Sequence, residues 1–171
     1  HLKVPKGTPT RPATDLVRGA IFDMLAATEA NWERVLDLYS GSGALGIEAL
    51  SRGAASVDFV DRESKCCAII KENLAHTGLA EMARVHCTEV NRALRQMDTD
   101  YDLVLIDPPY ADKTIGRVLT GLADSPAVSE RTTVVVTHSS RFDLASDYAA
   151  LRMYRERRHG DSVISFYRKE N

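Results

Sequence analysis

The sequence predicts an α/β doubly wound domain in which a mostly parallel sheet of about seven strands carries helices on both faces. Short apolar, β-branched segments alternate with segments whose apolar residues recur every three or four positions. A glycine-rich turn, residues 40–46, follows the first strong strand. Near the end of the chain, His159-Gly160-Asp161 separates two strand-like segments and is typical of an antiparallel hairpin.

The segments can be assigned in chain order from these patterns. An amphipathic helix is predicted to begin at Ala13 or Thr14 and to pack beside the first strand. Strands are predicted at 35–39, 56–61, 84–87, 101–106, 132–137, 151–158 and 162–168. Helices are predicted at 44–51, 64–77, 90–97 and 113–122.

Length and composition indicate an ordinary globular protein with 171 residues, 44% hydrophobic and 27% charged. We expect residues 1–12, which hold three prolines and a glycine, to be an extended segment, and residues 13–171 to form a single domain. Because the chain begins with His1 rather than Met, we expect further residues to precede it. No apolar run approaches the roughly 18 to 20 residues of a membrane span, so a cytoplasmic protein without a membrane partner is predicted.

The cysteines indicate neither a disulfide framework nor a metal site. Cys66, Cys67 and Cys87 are odd in number, two are adjacent, and none has a histidine at metal-ligand spacing. We expect buried structural thiols, with one of the adjacent pair near the surface of its helix. No metal is expected, and a monomer is favoured because no exposed apolar helix face is evident.

The glycine-rich turn has the spacing of a nucleotide-binding loop. Gly41, Gly43 and Gly46 reproduce G-x-G-x-x-G, in which the first glycine can adopt a positive φ and the second lets a ligand approach the backbone. The third lets helix and strand pack closely. A nicotinamide-dependent oxidoreductase would share these glycines, so the loop alone leaves the ligand open.

Two carboxylates narrow the choice of ligand. Asp37 lies four residues before Gly41, where it would repel a pyrophosphate but suit a cation. Asp61 ends the next strand, where it can accept hydrogen bonds from ribose hydroxyls. Together they predict a ligand with a ribose, a positive charge and no phosphate, which describes S-adenosylmethionine. The alternative for Asp37 is a helix-capping or loop acid.

A second motif, Asp107-Pro108-Pro109-Tyr110, follows a strand that is predicted to be buried on both faces. Adjacent prolines remove backbone donors and leave carbonyl acceptors. Asp107 and the Pro108 carbonyl could accept both hydrogens of an exocyclic amine while Tyr110 stacks on its ring. This would aim the nitrogen lone pair at a sulfonium methyl, mainly an effect of positioning, and the amine proton would pass to Asp107 or water. An ordinary Pro-Pro loop is the alternative.

Charge is unevenly distributed along a chain of net charge −2. Both ends are rich in arginine and lysine, and the body between them is acidic. If the ends met on one face, they would form a footprint for phosphates. Ordinary solvated basic surfaces explain the same charge pattern.

These residues resemble the class I S-adenosylmethionine-dependent methyltransferases that carry an (Asp/Asn)-Pro-Pro-(Tyr/Phe) motif, and among them the bacterial family that methylates guanine N2 in 16S ribosomal RNA. The resemblance rests on residues 10–15, 36–54 and 107–110 and covers nearly the whole chain. It implies a Rossmann-like fold and S-adenosylmethionine as cofactor. It also implies methylation of a guanine N2 amine in 16S rRNA within a small-subunit ribonucleoprotein particle.

The resemblance also implies site residues. Cofactor contacts are expected from Asp37, Tyr39, Ser40, Gly41, Gly43, Asp61, Arg62, Glu89 and Asp107. Catalysis is expected from Asp107, Pro108, Pro109 and Tyr110. Substrate contacts are expected from Arg11, Thr14 and Tyr110. Apart from the resemblance, the basic charge of the hairpin at 155–159 leads us to expect phosphate contacts from Arg157 and Arg158. Ala13 stands where the family has Thr, and the family's Arg/Gly-rich opening before Leu2 is missing, which would weaken RNA docking.

Other functions share part of this pattern. A DNA adenine-N6 methyltransferase would use the same loop but needs a target-recognition region that this length hardly accommodates. A protein-glutamine methyltransferase would favour Asn over Asp107. An oxidoreductase leaves Asp37 and the two prolines unexplained. A non-catalytic RNA-binding assembly factor would tolerate the loss of Asp107, whereas an enzyme should not.

Overall fold

The computed structural model describes residues 2–4, 15–109, 114–141 and 143–171. In chain order its elements are α1 (Asp15–Ala26), β1 (Arg34–Leu38), α2 (Ala44–Ser51), β2 (Ser56–Asp61), α3 (Ser64–Thr77), a 3-10 turn (Ala80–Met82), β3 (Ala83–Cys87), α4 (Val90–Gln96), β4 (Leu103–Ile106), α5 (Ile115–Ala123), β5 (Thr133–Ser139), β6 (Asp147–Tyr148), β7 (Leu151–His159) and β8 (Ser162–Lys169). Among the described residues, no helix combines the length and apolarity needed to cross a membrane.

The strands form an eight-stranded sheet in the order β3-β2-β1-β4-β5-β8-β7-β6. The first five are parallel to one another, while β8 pairs antiparallel with β5 and with β7. The predicted α/β class and terminal hairpin are therefore confirmed. The sequence prediction lacked β6, a two-residue strand that pairs with β7. Such a short edge strand carries no periodicity that a sequence pattern could reveal.

Helices cover both faces of the sheet, because the strands are apolar on both sides. The core on one face joins α1, α2 and α3 to strand residues such as Val35, Phe59 and Phe166. The core on the other face joins α4 and α5 to residues such as Val104 and Tyr167. The sequence placed α1 beside the first strand, but the strand that α1 meets most closely is β8.

The carboxyl ends of β1 and β4 form the topological switch point of the sheet. From β1 the chain winds outward through β2 and β3, and then returns to place β4 on the other side of β1. Neighbouring connections diverge there and leave a crevice, which is where open α/β sheets bind ligands. The turn between β7 and β8 reaches the same edge, since the backbone amide of Ser140 donates to the carbonyl of Asp161 at 2.8 Å.

The first helix also begins at this edge. Arg18 Nε lies 3.3 Å from Glu48 Oε1, and the Arg52 guanidinium lies 5.2 Å from the ring centroid of Phe22. Phe22 lies four residues after Arg18 on α1, and its partner Arg52 lies four residues after Glu48, the partner of Arg18. Both helices therefore advance in the same direction, and α1 runs parallel to α2. Because α2 starts directly after the glycine loop, the N-terminus of α1 lies at the ligand-binding edge as well.

The adjacent cysteines are placed differently from the prediction. Cys66 and Cys67 are both buried on α3, and Cys87 at the end of β3 is exposed. The expectation of one surface thiol in the pair was wrong, as was the expectation that Cys87 is buried. Neighbouring helix residues point about 100° apart, and the inward stripe of α3 is wide enough to include both.

Candidate active site

Three carboxylates lie together at the switch point. Asp37 is the fourth residue of β1, Asp61 is the last residue of β2, and Asp107 follows β4 directly. The register aligns Leu38 with both Val60 and Ile106, so these strands end level with one another. The structure thus brings together the acids that the sequence placed on three separate strands.

Asp37 is a buried carboxyl group held against the glycine loop. Its side chain is 1% exposed, and Oδ2 accepts a hydrogen bond from the backbone amide of Gly46 at 3.1 Å. Burial, together with the negative charges of Asp107 and Asp61, raises the pKa of Asp37 to about 8. A nearby cation would offset both effects and favour the ionised form.

The glycines of the loop meet different requirements. Gly41 and Gly43 have φ of 58° and 84°, and a Cβ on Gly41 would meet nothing within 4 Å. A Cβ on Gly43 would lie 3.3 Å from Ile70 Cγ2, so a side chain at this position would press against the core. At Gly46 a Cβ would lie 2.3 Å from Phe59 Cε1, which confirms the close packing predicted there. Of these three glycines, Gly41 is the one at which an added Cβ would meet open space.

Ser40 and Tyr39 shape the loop from within the protein. The buried Ser40 hydroxyl donates to the Asp37 carbonyl at 2.6 Å and accepts from the Val60 amide at 3.1 Å. Tyr39 has a φ of 57° and packs against the core on the α4 and α5 side. Both residues directly follow β1, at the edge of the sheet where the cofactor contacts were predicted. The hydroxyl of Ser40 joins β1 to β2.

Asp61 is oriented by backbone amides on both of its oxygens. Gly41 donates to Oδ2 and Glu63 donates to Oδ1, each at 2.9 Å. Arg62 is exposed and lies 3.6 Å from Glu63, and exposed Glu89 directly precedes α4. The Thr88 amide donates to the Asp61 carbonyl at 3.0 Å, so the end of β3 with Glu89 lies beside the end of β2.

The loop after β4 is anchored to β5. Asp107 is partly buried, Pro108 is buried and Pro109 is exposed. The hydroxyl of Thr137, a buried residue of β5, donates to Asp107 Oδ1. The sequence analysis missed Thr137, although its polar side chain at the end of a β-branched strand was a usable signal.

Asn73 is a second residue that the sequence analysis missed. Its side chain is 2% exposed on α3, where Oδ1 accepts from the Lys3 amide at 2.9 Å. Its Nδ2 donates to the carbonyls of Lys3 and Ser42 at 3.1 and 2.9 Å. One amide side chain therefore joins the N-terminal segment to the glycine loop. An asparagine on the buried stripe of an amphipathic helix was the signal.

Of the remaining predicted residues, Arg157 and Arg158 are described, and the structure does not bring them to one surface. Arg11, Thr14 and Tyr110 lie outside the described residues. Arg157 pairs with Ile164 and Arg158 pairs with Val163, so the two arginines project from opposite faces of the hairpin. Arg158 Nε donates to the carbonyl of Gly160 at 3.0 Å.

Comparison with known proteins places the chain in a family. The model of the family described as conserved hypothetical protein 95 matches residues 1–168. The chain belongs to this family. YlbH of Bacillus subtilis (strain 168) is similar to it, with 35% identity over 98% of this chain and 92% of that protein. Ribosomal RNA small subunit methyltransferase D of Escherichia coli (strain K12) is 31% identical over 99% of this chain and 84% of that protein.

A solved structure agrees with this family membership. The protein yhhF from Escherichia coli superposes with a TM-score of 0.84 and 31% identity, covering 99% of this chain and 91% of that one. The class I methyltransferase fold that the resemblance implies is confirmed, and so is the prediction that this member of the family is a methyltransferase.

Proposed function

We propose that this methyltransferase transfers a methyl group from S-adenosylmethionine to the exocyclic N2 amine of a guanine in small-subunit ribosomal RNA. The observation that carries the proposal is the meeting of Asp37, Asp61 and Asp107 at the carboxyl ends of β1, β2 and β4. Asp61 accepts from the Gly41 amide, and Asp107 is followed by Pro108 and Pro109, which have no backbone donors. The relative named as ribosomal RNA small subunit methyltransferase D supports the choice of RNA.

The residues present fit the chemistry of S-adenosylmethionine. Asp61 is fixed by two amides at the end of β2, where it can accept from ribose hydroxyls. Asp37 and Asp107 add carboxylates beside it, which suits a cofactor that carries a sulfonium and an ammonium group. When bound, the cofactor supplies a methyl group already activated by the sulfonium. Glu89, Tyr39 and Arg62 border the same edge.

The loop after β4 would hold the amine. Asp107 and the Pro108 carbonyl are acceptors, and the two prolines contribute no amide hydrogen that could compete for the nitrogen lone pair. With both amine hydrogens held, the lone pair is directed out of the ring plane, so the contribution is chiefly orientation. The carboxylate of Asp107 then takes up the proton that the methylated nitrogen releases. Tyr110 would stack on the base, and Arg11 and Thr14 would approach from the N-terminal segment.

Further parts of the proposal concern context. We propose that the RNA is met within a small-subunit ribonucleoprotein particle, and that the protein works as a cytoplasmic monomer. The middle of the chain is acidic and both of its ends are basic. This distribution supports RNA binding at a few basic surfaces instead of along the whole protein surface.

Methyl transfer to undermethylated small-subunit particles tests the proposal. The protein is incubated with particles, or with their isolated rRNA, and with methyl-labelled S-adenosylmethionine, and the RNA is then digested to nucleosides. Label in N2-methylguanosine is expected, and Asp107→Ala should abolish it while cofactor affinity falls only modestly. Label in N6-methyladenosine, or equal transfer by Asp107→Ala, would contradict the assignment.

A further inference from the structure

One face of the hairpin β7–β8 groups basic and aromatic side chains. Residues paired across antiparallel strands point to the same side of the sheet, and Arg155 pairs with Phe166 while Arg157 pairs with Ile164. Phe166 and Ile164 belong to the core that contains α1, so both arginines project on the α1 side. Among the described residues, Arg157 is exposed and Arg155 is partly exposed on this side.

A β-bulge adds an aromatic ring to this side. The register shifts between Met153 and Arg155, so Tyr154 is the extra residue, and its ring meets Phe166 edge-on with centroids 6.0 Å apart. The Arg168 guanidinium lies 4.1 Å from the Tyr154 ring centroid. We use the term arginine face for the surface formed by Tyr154, Arg155, Arg157 and Arg168.

The arginine face keeps its positive charge. In the described part of the chain, neither Arg155 nor Arg157 forms an ion pair. By contrast, Arg152 of the same strand is neutralised by Asp147 at 2.8 Å and Glu170 at 3.7 Å. Glu156, the acid within the strand, pairs with Ser165 and points to the other side. Because side chains alternate along β7, Arg155 and Arg157 project from one side of the sheet and Glu156 projects from the other.

The arginine face also leads to the active-site edge. Arg157 lies two residues before the end of β7, and the following turn is tied to the end of β5 by the hydrogen bond from Ser140 to Asp161. Three strand spacings separate β7 from β4, which is about 14 Å at the usual distance between strands. A polynucleotide of a few residues spans this distance.

We propose that the arginine face binds the sugar–phosphate backbone of the substrate RNA, with Arg155 and Arg157 on phosphates and the Arg168–Tyr154 stack beside an unpaired base. This inference rests on the proposed function, because it assigns the RNA contacts of the same enzyme. Cations interleaved with an aromatic ring are the combination that proteins use for single-stranded nucleic acid. A net negative protein also needs such a localised patch to bind a polyanion.

Salt-dependent RNA binding tests the arginine face. The affinity of undermethylated 16S rRNA for the protein is measured between about 50 and 300 mM salt, for the parent and for Arg155→Ala/Arg157→Ala. Two lost phosphate contacts should make the slope of log affinity against log salt shallower by roughly 1.4 to 1.8. The KM for RNA should rise more than tenfold with kcat within about twofold, and S-adenosylmethionine affinity should be unchanged.

Two single variants provide matched controls. Arg158→Ala removes the neighbouring charge on the opposite side, and Arg152→Ala removes a neutralised one, so each should leave the salt slope nearly unchanged. An unchanged slope in the double variant, or an equal change in Arg158→Ala, overturns the inference. If the parent methylates rRNA, that failure concerns the arginine face alone. If the parent transfers no methyl group to RNA, the proposed function fails, and the slopes still report whether the face binds RNA.

Discussion

The hydroxyl of Thr137 donates a hydrogen bond to Asp107 Oδ1, and so joins the end of β5 to the first residue of the loop after β4. Thr137 is 1% exposed and Asp107 is partly buried, so the hydroxyl reaches the carboxylate from the protein interior. A hydroxyl that holds one carboxylate oxygen fixes the plane of the carboxylate. Thr137 is therefore a positioning residue for Asp107.

Thr137→Val should lower kcat by about 10- to 100-fold, because a carboxylate that loses the hydroxyl on its Oδ1 presents its acceptors to the amine in the right orientation only part of the time. Steady-state kinetics should show little change in the KM for S-adenosylmethionine. Thr137→Ser keeps the donor and should recover most of kcat, which a purely structural role of the methyl group would not predict. A valine variant with the parental kcat would remove this role.

Gly46→Ala should strongly destabilise the fold, because the added Cβ would lie 2.3 Å from Phe59 Cε1 and 3.0 Å from Asp37 Oδ2. Overpacking of this kind costs about 3 kcal/mol, measurable by urea unfolding. Gly41→Ala is the matched control. Its Cβ meets nothing, and only the positive φ of 58° resists the change, so roughly 1 kcal/mol is expected. Equal losses in the two variants would contradict the role of close packing at Gly46, since Gly46 has no positive φ to explain its loss.

Asp37 should make the unliganded protein less stable as pH rises. Its pKa is raised to about 8 in the fold, whereas in the unfolded chain it is about 4. Between these values the native state holds a proton that the unfolded chain has released, so the free energy of unfolding falls with rising pH in this window. Asp37→Asn keeps an oxygen acceptor for Gly46 and removes the titration.

The pH effect is measured by thermal unfolding of the parent and Asp37→Asn at pH 5, 6.5 and 8. The difference in melting temperature between variant and parent should shift in favour of the variant as pH rises. A constant difference would show that Asp37 is already ionised in the fold.

The positions of the three acids were predictable because they follow from topology alone. A carboxylate at the end of each of three parallel strands must reach one edge, so Asp37, Asp61 and Asp107 could be grouped before any contact was known. The helix predicted at 64–77 was also correct to the residue, since α3 shows strong periodicity and ends at Gly78.

The sequence did not reveal which distant segments contact each other. It also did not reveal how the residues of β7 align with those of β8. Nothing adjacent to Thr137 indicates that its partner is thirty residues away. Simple alternation along β7 places Tyr154 opposite Arg155 and Arg157, and only the bulge brings all three to one side. Arg157 and Arg158, which the sequence analysis grouped, project from opposite sides, as alternation along a single strand requires.

Asn73→Ala should weaken both the fold and cofactor binding. The variant leaves the amide of Lys3 and the carbonyl of Ser42 without the partner that now joins them to α3, at a cost of about 2 kcal/mol in unfolding free energy. Because Ser42 lies within the glycine loop, S-adenosylmethionine affinity should fall several-fold, as measured by calorimetry. The control is Lys3→Ala, which keeps the Lys3 backbone but removes its exposed ion pair with Glu72 at 3.2 Å. Such surface pairs contribute little, so the control should match the parent in both measurements. If Asn73→Ala lost stability but kept its cofactor affinity, the buried amide would anchor the N-terminal segment without supporting the loop.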